Sequence, residues 1–144
     1  MVVISGQVQS HLIGTDAFQE TDMIGVSRPI VKHSFTVDKQ ENIAQIVKEA
    51  FHIATSGRQG PVVIDVPKDL TNPDELFDFN YPEKANIRSY NPPVKPENHQ
   101  VSRAVDAILN AERPVIYAGG GTISSNASDA VSYTHLRAHE TSLH

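Results

Sequence analysis

The most regular pattern of apolar and polar positions lies between residues 43 and 54. Six apolar residues recur there at spacings of three and four: Ile43, Ile46, Val47, Ala50, Phe51 and Ala54. This spacing puts one apolar stripe on a helix, which we predict over residues 41–56. Asp38 is a candidate cap before the helix, and Gly57 stands where a helix stop is expected.

Short apolar runs on either side of this helix have the character of strands. Residues 61–66 read PVVIDV, a continuous run typical of a strand buried on both faces of a parallel sheet. Residues 2–5 and 30–37 are also predicted strands, since both are rich in β-branched side chains. A strand, a helix and a second strand with short joints form a βαβ unit, so the pattern predicts an α/β fold with a parallel sheet.

The pattern changes after residue 69, where prolines become frequent. Residues 72–99 hold five prolines and many polar residues, which favours an extended connector. A helix is predicted over 99–111 and a buried strand over 114–118, with a further helix starting at Ser124 or Ser125. We therefore predict four segments, which are a domain part over 1–70, a linker over 71–98, a truncated second α/β domain over 99–130, and a separate tail over 131–144.

Both ends of the sequence are unusual. The predicted strand opens at residue 2, which suggests an internal piece of a longer protein. The tail contains VSYTHLRAHET, which reads like a translated transposon-end sequencing adapter, so we exclude residues 131–144 from the fold argument. The alternative is a metal site at His135, His139 and His144, the first two being four residues apart. We predict no metal site in the chain.

Composition narrows the classes of function. The net charge is −5 and no basic stripe is visible, which argues against a nucleic-acid partner. No apolar run approaches the roughly 20 residues that a membrane span requires, so no membrane partner is expected. The chain has no cysteine, which excludes disulfides and thiolate metal sites and fits a cytoplasmic protein.

Residues 14–22, GTDAFQETD, form the first candidate site. We predict a short helix over 16–23 with Thr15 or Asp16 as its N-cap. Gln19 can both donate and accept hydrogen bonds, which suits the holding of a cofactor. Phe18 either walls a pocket or forms the apolar face of the helix, and Glu20 is either an acid/base group or a partner of the helix dipole.

Two charged residues follow predicted elements. Lys68 lies just beyond the strand at 61–66, at the edge where open α/β sheets bind ligands, and it either steers an anionic substrate or pairs with Asp69. Arg58 lies in the turn SGRQGP and suits a phosphate or a flavin, the alternative being a solvated turn.

Two weaker signals complete the set of candidates. Lys32 and His33 are interpreted as a strand-edge pair. Gly119, Gly120 and Gly121 would let a backbone approach a phosphate, but Ser124 stands where a dinucleotide motif has its third glycine, so a tight turn is the alternative.

Four segments together carry a resemblance to a known family: SGQVQSHLIGTDAFQETD, RPIVKHSF, AFHIATSGRQGPVVIDVPKD and RPVIYAGGG. In this order and spacing they resemble the large catalytic subunit of acetolactate synthase (acetohydroxyacid synthase), over residues 2 to about 130. The resemblance implies the second half of a pyrimidine-binding domain for thiamine diphosphate, followed by the start of a central, FAD-associated α/β domain. It also implies decarboxylation of pyruvate and transfer of the hydroxyethyl unit to pyruvate or 2-oxobutyrate in branched-chain amino-acid biosynthesis.

The family pattern also suggests roles for single residues. Gln19 matches a contact to thiamine diphosphate, while Arg58 and Gly120 match contacts to FAD. Three residues match the substrate channel: Phe18, Lys32 and Lys68. The glutamate that activates the thiamine and the motif that binds Mg²⁺ have no match in the chain, so we assign no catalytic residue and expect the chain alone to be inactive.

The resemblance further implies a homodimer with its active site at the interface, allows for a small regulatory subunit, and favours the bacterial cytoplasm. Three alternatives stay open. The first is another thiamine-diphosphate carboligase or decarboxylase, such as glyoxylate carboligase or pyruvate oxidase. The second is a non-catalytic module that binds FAD or a nucleotide. The third is a catabolic acetolactate synthase that does not use FAD.

Overall fold

The computed structural model describes residues 1–133, which fall into two compact units that separate between Lys95 and Pro96. The boundary lies within the predicted linker, most of which therefore belongs to the first unit. Residues 134–144, which include most of the segment interpreted as adapter-derived and the alternative histidine site, lie outside the described residues.

The first unit is built on a parallel three-stranded sheet. Its strands are β1 (Val2–Gln7), β2 (His33–Thr36) and β3 (Val62–Pro67), in the spatial order β1-β3-β2. The central strand is the one predicted at 61–66, and its residues from Val62 to Asp65 are all buried. This arrangement confirms the predicted parallel α/β fold, because only a strand covered on both faces tolerates such a continuous apolar run.

Four α-helices begin and end within the described residues: α1 (Met23–Ser27), α2 (Ile43–Thr55), α3 (Asn98–Leu109) and α4 (Gly120–Ser124). Residues 128–133 are also helical. Helix α2 confirms the predicted helix at 41–56, and Gly57 follows it at φ 54° as the expected stop. Asp38 does not cap α2, since its carboxylate accepts a hydrogen bond from the Asn42 side chain at 2.7 Å instead.

The core of the first unit lies between α2 and the sheet. Its buried apolar residues are Val37, Ala50, Ile53, Ala54, Val62 and Ile64. Each large aliphatic side chain buried in this way stabilises the fold by about 1.5–3 kcal/mol. Phe51 departs from the predicted stripe, because it remains 55% exposed.

The predicted helix over 16–23 is wrong. Asp16 and Gln19 have φ angles of 56° and 69°, and such left-handed residues cannot continue a right-handed helix. Helix α1 begins only at Met23, and its cap is Asp22, whose carboxylate accepts a hydrogen bond from the Gly25 amide at 2.8 Å. Neither Thr15 nor Asp16 is the cap.

The second unit confirms one prediction and corrects two. Helix α3 matches the helix predicted at 99–111. The strand predicted at 114–118 is absent from the described residues, and Val115 and Tyr117 are 90% and 99% exposed. A strand requires a hydrogen-bonded neighbour, and the described part of this unit holds no other strand. Helix α4 begins at Gly120 rather than at Ser124 or Ser125.

Candidate functional site

The carboxyl ends of β1 and β3 meet at one edge of the sheet, where open α/β sheets bind ligands. Residues 14–22, here called the Gln19 segment, lie at this edge. Phe18 and Gln19 line an open pocket of about 430 Å³ together with Lys68 and residues 6–9. The structure thus brings together three of the six residues that the family pattern singled out.

The three side chains in this pocket are free to meet a ligand. Phe18 is 90% exposed, so its ring is accessible to a ligand or to a partner surface. Gln19 and Lys68 are also exposed, and neither side chain forms a hydrogen bond or ion pair within residues 1–133. The alternative for Lys68, a pair with Asp69, does not occur among the described residues, where Asp69 instead accepts a hydrogen bond from the Ser10 amide at 2.8 Å.

Glu20 organises the Gln19 segment from within. Its carboxylate accepts hydrogen bonds from the amides of Gly14 and of Ala17, the latter at 2.9 Å. These bonds, the one from Gly14 above all, hold the pKa of Glu20 below its usual value. The helix-dipole role is wrong, because helix α1 begins only at Met23, and these bonds give Glu20 a loop-forming role instead. The acid/base role stays a prediction. The left-handed conformation at Gln19 costs about 1 kcal/mol, and strain of this kind is often found at functional sites.

Gln7 and Asp65 form a second set of hydrogen bonds at the Gln19 segment, which the sequence did not reveal. The bond from Gln7 to Thr21 is here called the Gln7 tie. The Nε2 of Gln7 donates to the carbonyl oxygen of Thr21 at 2.7 Å and to Oδ2 of Asp65 at 3.0 Å. Asp65 is only 3% exposed, and its Oδ1 has no hydrogen-bond partner in the described chain. Burial raises the pKa of Asp65, against the opposing effect of the bond from Gln7. The one sequence signal for this site is an acid inside the apolar run VVIDV.

Lys32 lies at the opposite, amino-terminal edge of the sheet. Its Nζ donates to the carbonyl oxygens of Ile53 at 2.5 Å and Ser56 at 2.6 Å, and to the Tyr90 hydroxyl at 2.6 Å. The bond from Lys32 lowers the pKa of Tyr90. Since β3 separates the two edges by about 20 Å, the structure does not bring Lys32 into the pocket of Phe18.

The two predicted FAD contacts lie in different units. Arg58 follows α2 at the amino-terminal edge of the sheet, exposed and without a hydrogen bond or ion pair in the described part of the chain. Gly57 before it has φ 54°, which strains any side chain, and a Cβ there would crowd Pro92 at 3.1 Å and the Tyr90 hydroxyl at 3.2 Å. Gly120 opens α4 in the second unit, where a Cβ would meet no atom within 4 Å.

Residues 1–133 show neither a membrane-spanning helix nor a metal-binding cluster. No helix in that range is both long and apolar enough to cross a membrane. Over the same residues, the structure groups no three side chains of the kinds that bind metal ions.

The parallel α/β sheet, with exposed side chains at its carboxyl edge, is consistent with a segment of a thiamine-diphosphate-dependent enzyme domain. Sequence comparison is more specific, because it identifies the chain as a homologue of part of the acetolactate synthase large subunit. No protein-family model matches the chain.

Three relatives illustrate the similarity. The chain is 60% identical over 129 residues, 90% of its length, to the acetolactate synthase large subunit of Buchnera aphidicola subsp. Acyrthosiphon pisum. It is 53% identical over the same length to that of Haemophilus influenzae. It is 48% identical over 134 residues, 93% of its length, to the acetolactate synthase isozyme 3 large subunit of Escherichia coli K12. The chain spans only 22–23% of the length of these curated relatives.

Proposed function

We propose that the chain is part of an acetolactate synthase large subunit. The enzyme decarboxylates pyruvate and joins the two-carbon unit to pyruvate or 2-oxobutyrate, in the biosynthesis of valine, leucine and isoleucine. The observation that carries the proposal is the 60% identity to a protein of that name over 90% of the chain. The substrates, the homodimeric assembly with its site at the interface, and a small regulatory subunit belong to the same proposal.

Thiamine diphosphate, when bound, supplies the carbanion chemistry of this reaction, and the protein binds and orients the reactants. Gln19 would hold the cofactor, because its exposed amide has donors and an acceptor that no group in the described chain uses. Phe18 would wall the site against water at the interface of the dimer. Lys68 would attract the carboxylate of the substrate.

The other assignments differ in how well the structure supports them. Arg58 suits an FAD phosphate, because its guanidinium is exposed and unpaired among the described residues. Gly120 suits a close backbone approach to FAD, because it has no side chain and the space where a Cβ would lie is open to at least 4 Å. Lys32 fits the substrate channel less well, since three oxygens of the chain already bind its ammonium group. The described residues group no three side chains of the kinds that bind metal ions. Mg²⁺ would therefore be held by other residues of the enzyme.

A chimeric enzyme tests the proposal. Residues 2–130 of this chain replace the homologous segment of the Escherichia coli isozyme 3 large subunit. We expect the chimera to form acetolactate from pyruvate and to restore growth without branched-chain amino acids in a strain that lacks the enzyme. A chimera that folds like the parent subunit but forms no acetolactate would contradict the proposal.

Matched variants of the chimera test the site. Gln19→Ala should raise the half-saturating concentration of thiamine diphosphate by about tenfold or more, as expected for the loss of a hydrogen bond to a charged ligand. Gln100→Met is the control, because Gln100 is an exposed residue of α3 whose side chain has no described hydrogen bond. Equal effects of the two substitutions would count against a cofactor-binding role for Gln19.

A further inference from the structure

Two polar residues at the carboxyl edge, the half-buried Gln7 and the buried Asp65, have no role in the proposed function. Gln7 ends β1, and Asp65 lies on the central strand opposite Ser5 of β1 and Thr36 of β2. We infer that Gln7 and Asp65 are positioning residues that hold the Gln19 segment, and with it Gln19, against the edge of the sheet. The inference rests on the proposed function in one respect only, which is the cofactor that Gln19 meets.

The backbone of both residues is fixed by the sheet. Gln7 lies beside Pro67 at the last position of the β1–β3 pairing, and Asp65 has neighbours on both sides. The backbone oxygen of Asp65 also accepts a hydrogen bond from the Val37 amide at 2.9 Å. Buried central strands are the most rigid parts of a domain, so Asp65 on β3 defines a fixed point, and Gln7 on the edge strand β1 is hydrogen-bonded to it.

The chemistry of the partners fixes the orientation of the Gln7 amide. Its Oε1 accepts a hydrogen bond from the Val8 amide at 2.9 Å, and that amide can only donate. Its Nε2 faces Oδ2 of Asp65 at 3.0 Å, an oxygen placed to accept. A rotation that exchanged the amide oxygen and nitrogen would lose both bonds. The second N–H of Nε2 is therefore directed at the Thr21 carbonyl, 2.7 Å away.

This bond ties the Gln19 segment to the sheet at a point two residues after Gln19. Thr21 also accepts, through the same carbonyl, a hydrogen bond from the Met23 amide at 2.8 Å. Glu20 closes the segment on itself through the amides of Gly14 and Ala17, but that closure alone does not fix the segment on the sheet. The Gln7 tie supplies the fixed position that a cofactor contact requires.

Amide hydrogen exchange of the full 144-residue chain tests the tie directly. The reporters are the amides of Ala17 and Glu20, which are hydrogen-bonded within the segment, and the amides of β3 are the internal reference. Gln7→Met keeps the length of the side chain and removes its polar atoms. We expect exchange of the reporters to become about tenfold faster, the effect of one lost hydrogen bond, with little change in β3.

Two substitutions of Asp65 separate positioning from general packing. Asp65→Asn keeps an oxygen that accepts from Gln7 and should leave the reporters protected, whereas Asp65→Leu removes it and should match Gln7→Met. Gln100→Met is the control for loss of a glutamine amide. Unchanged reporters in Gln7→Met, equal acceleration in β3, or a wild-type chain without protected β3 amides would each overturn the inference.

The cofactor side of the inference needs the chimeric enzyme. There, Gln7→Met should raise the dissociation constant of thiamine diphosphate by about tenfold and leave kcat at saturating cofactor within about threefold, because the tie orders Gln19 before binding. A fall in kcat with unchanged affinity would overturn the positioning role. If the chimera forms no acetolactate, the proposed function fails, while the exchange experiment still decides whether the tie exists.

Discussion

The two edges of the sheet differ in whether their polar side chains have hydrogen-bond partners within the described chain. At the amino-terminal edge, Lys32 donates to three oxygens of the chain, two of them carbonyls near the end of α2. At the carboxyl edge, the side chains of Gln19 and Lys68 have no partner within the described residues, and Phe18 is 90% exposed. Both edges carry residues that the family pattern links to one active site.

This difference separates groups that stabilise the fold from groups that are available to a ligand. A cation that neutralises carbonyl oxygens at a helix C-terminus is already in a favourable environment, and binding a substrate would require it to leave. An exposed amide on a left-handed residue gains nothing in the free chain and can gain from a ligand. The carboxyl edge is therefore the better candidate for contact with cofactor and substrate.

The largest effect is expected for Lys32→Met. The substitution keeps the apolar stem but removes the Lys32 donor from the carbonyls of Ile53 and Ser56, and leaves the Ser56 carbonyl with the Tyr90 hydroxyl alone. We expect the free energy of unfolding, measured by urea titration, to fall by about 2 kcal/mol, as for hydrogen bonds to a charged group.

Lys68→Met is the matched control at the other edge, and it should change the unfolding free energy by less than about 0.5 kcal/mol. Similar losses for the two lysines would remove the distinction between the edges.

A smaller effect in the same direction is expected for Tyr90→Phe. The Tyr90 hydroxyl accepts a hydrogen bond from Lys32 and donates one to the Ser56 carbonyl at 2.9 Å. Its loss therefore weakens the contact between the end of α2 and the segment 71–98, which the sequence predicted as a linker. The urea midpoint should fall, but by less than in Lys32→Met. Tyr81→Phe serves as the control, because the Tyr81 hydroxyl has no described hydrogen bond. A fall as large in the control would show that the hydrogen bonds of the Tyr90 hydroxyl add no stability of their own.

These contacts show where prediction from sequence succeeds and where it stops. Helix α2 and strand β3 follow from periodicity, because burial of one stripe or of one continuous run leaves a local signature. The Lys32–Tyr90 bond joins residues 58 positions apart, as does the bond between Gln7 and Asp65, and no local pattern encodes such pairs.

The elements that were predicted wrongly also have physical explanations. Thr15, Asp16 and Asp22 all have the character of an N-cap, so capping chemistry alone could not choose among them. The left-handed residues that decide the matter are invisible in the sequence. The strand predicted at 114–118 has the right composition, but a strand forms only beside another strand.

Two carboxyl groups near the carboxyl edge should give opposite pH dependence. Burial raises the pKa of Asp65 in the folded chain. The contribution of Asp65 to the free energy of unfolding is therefore present at low pH and is lost as pH rises through that raised value. The pKa of Glu20 is lowered by hydrogen bonds from Gly14 and Ala17, so its contribution is present above its ordinary value and is lost as pH falls through the lowered one.

Asp65→Asn should therefore gain stability relative to the wild type as pH rises, and Glu20→Gln should lose it. Urea titrations at several pH values measure both differences. Parallel curves for the wild type and Asp65→Asn would show that Asp65 does not titrate differently in the folded chain.

The smallest effect on stability, and the most direct test of the difference between the edges, is expected for Gln19→Gly. Gln19 adopts a φ of 69°, a conformation that glycine reaches without strain. Gln19→Gly should therefore be about 0.5 kcal/mol more stable to urea than Gln19→Ala, which lacks the same amide but keeps the unfavourable conformation. In the chimeric enzyme the two variants should weaken thiamine diphosphate binding alike, because both lack the amide group. If Gln19→Gly is more stable than the wild type but binds thiamine diphosphate less tightly, the wild type keeps glutamine at this strained position for binding. If its affinity equals that of the wild type, the strain belongs to the loop alone.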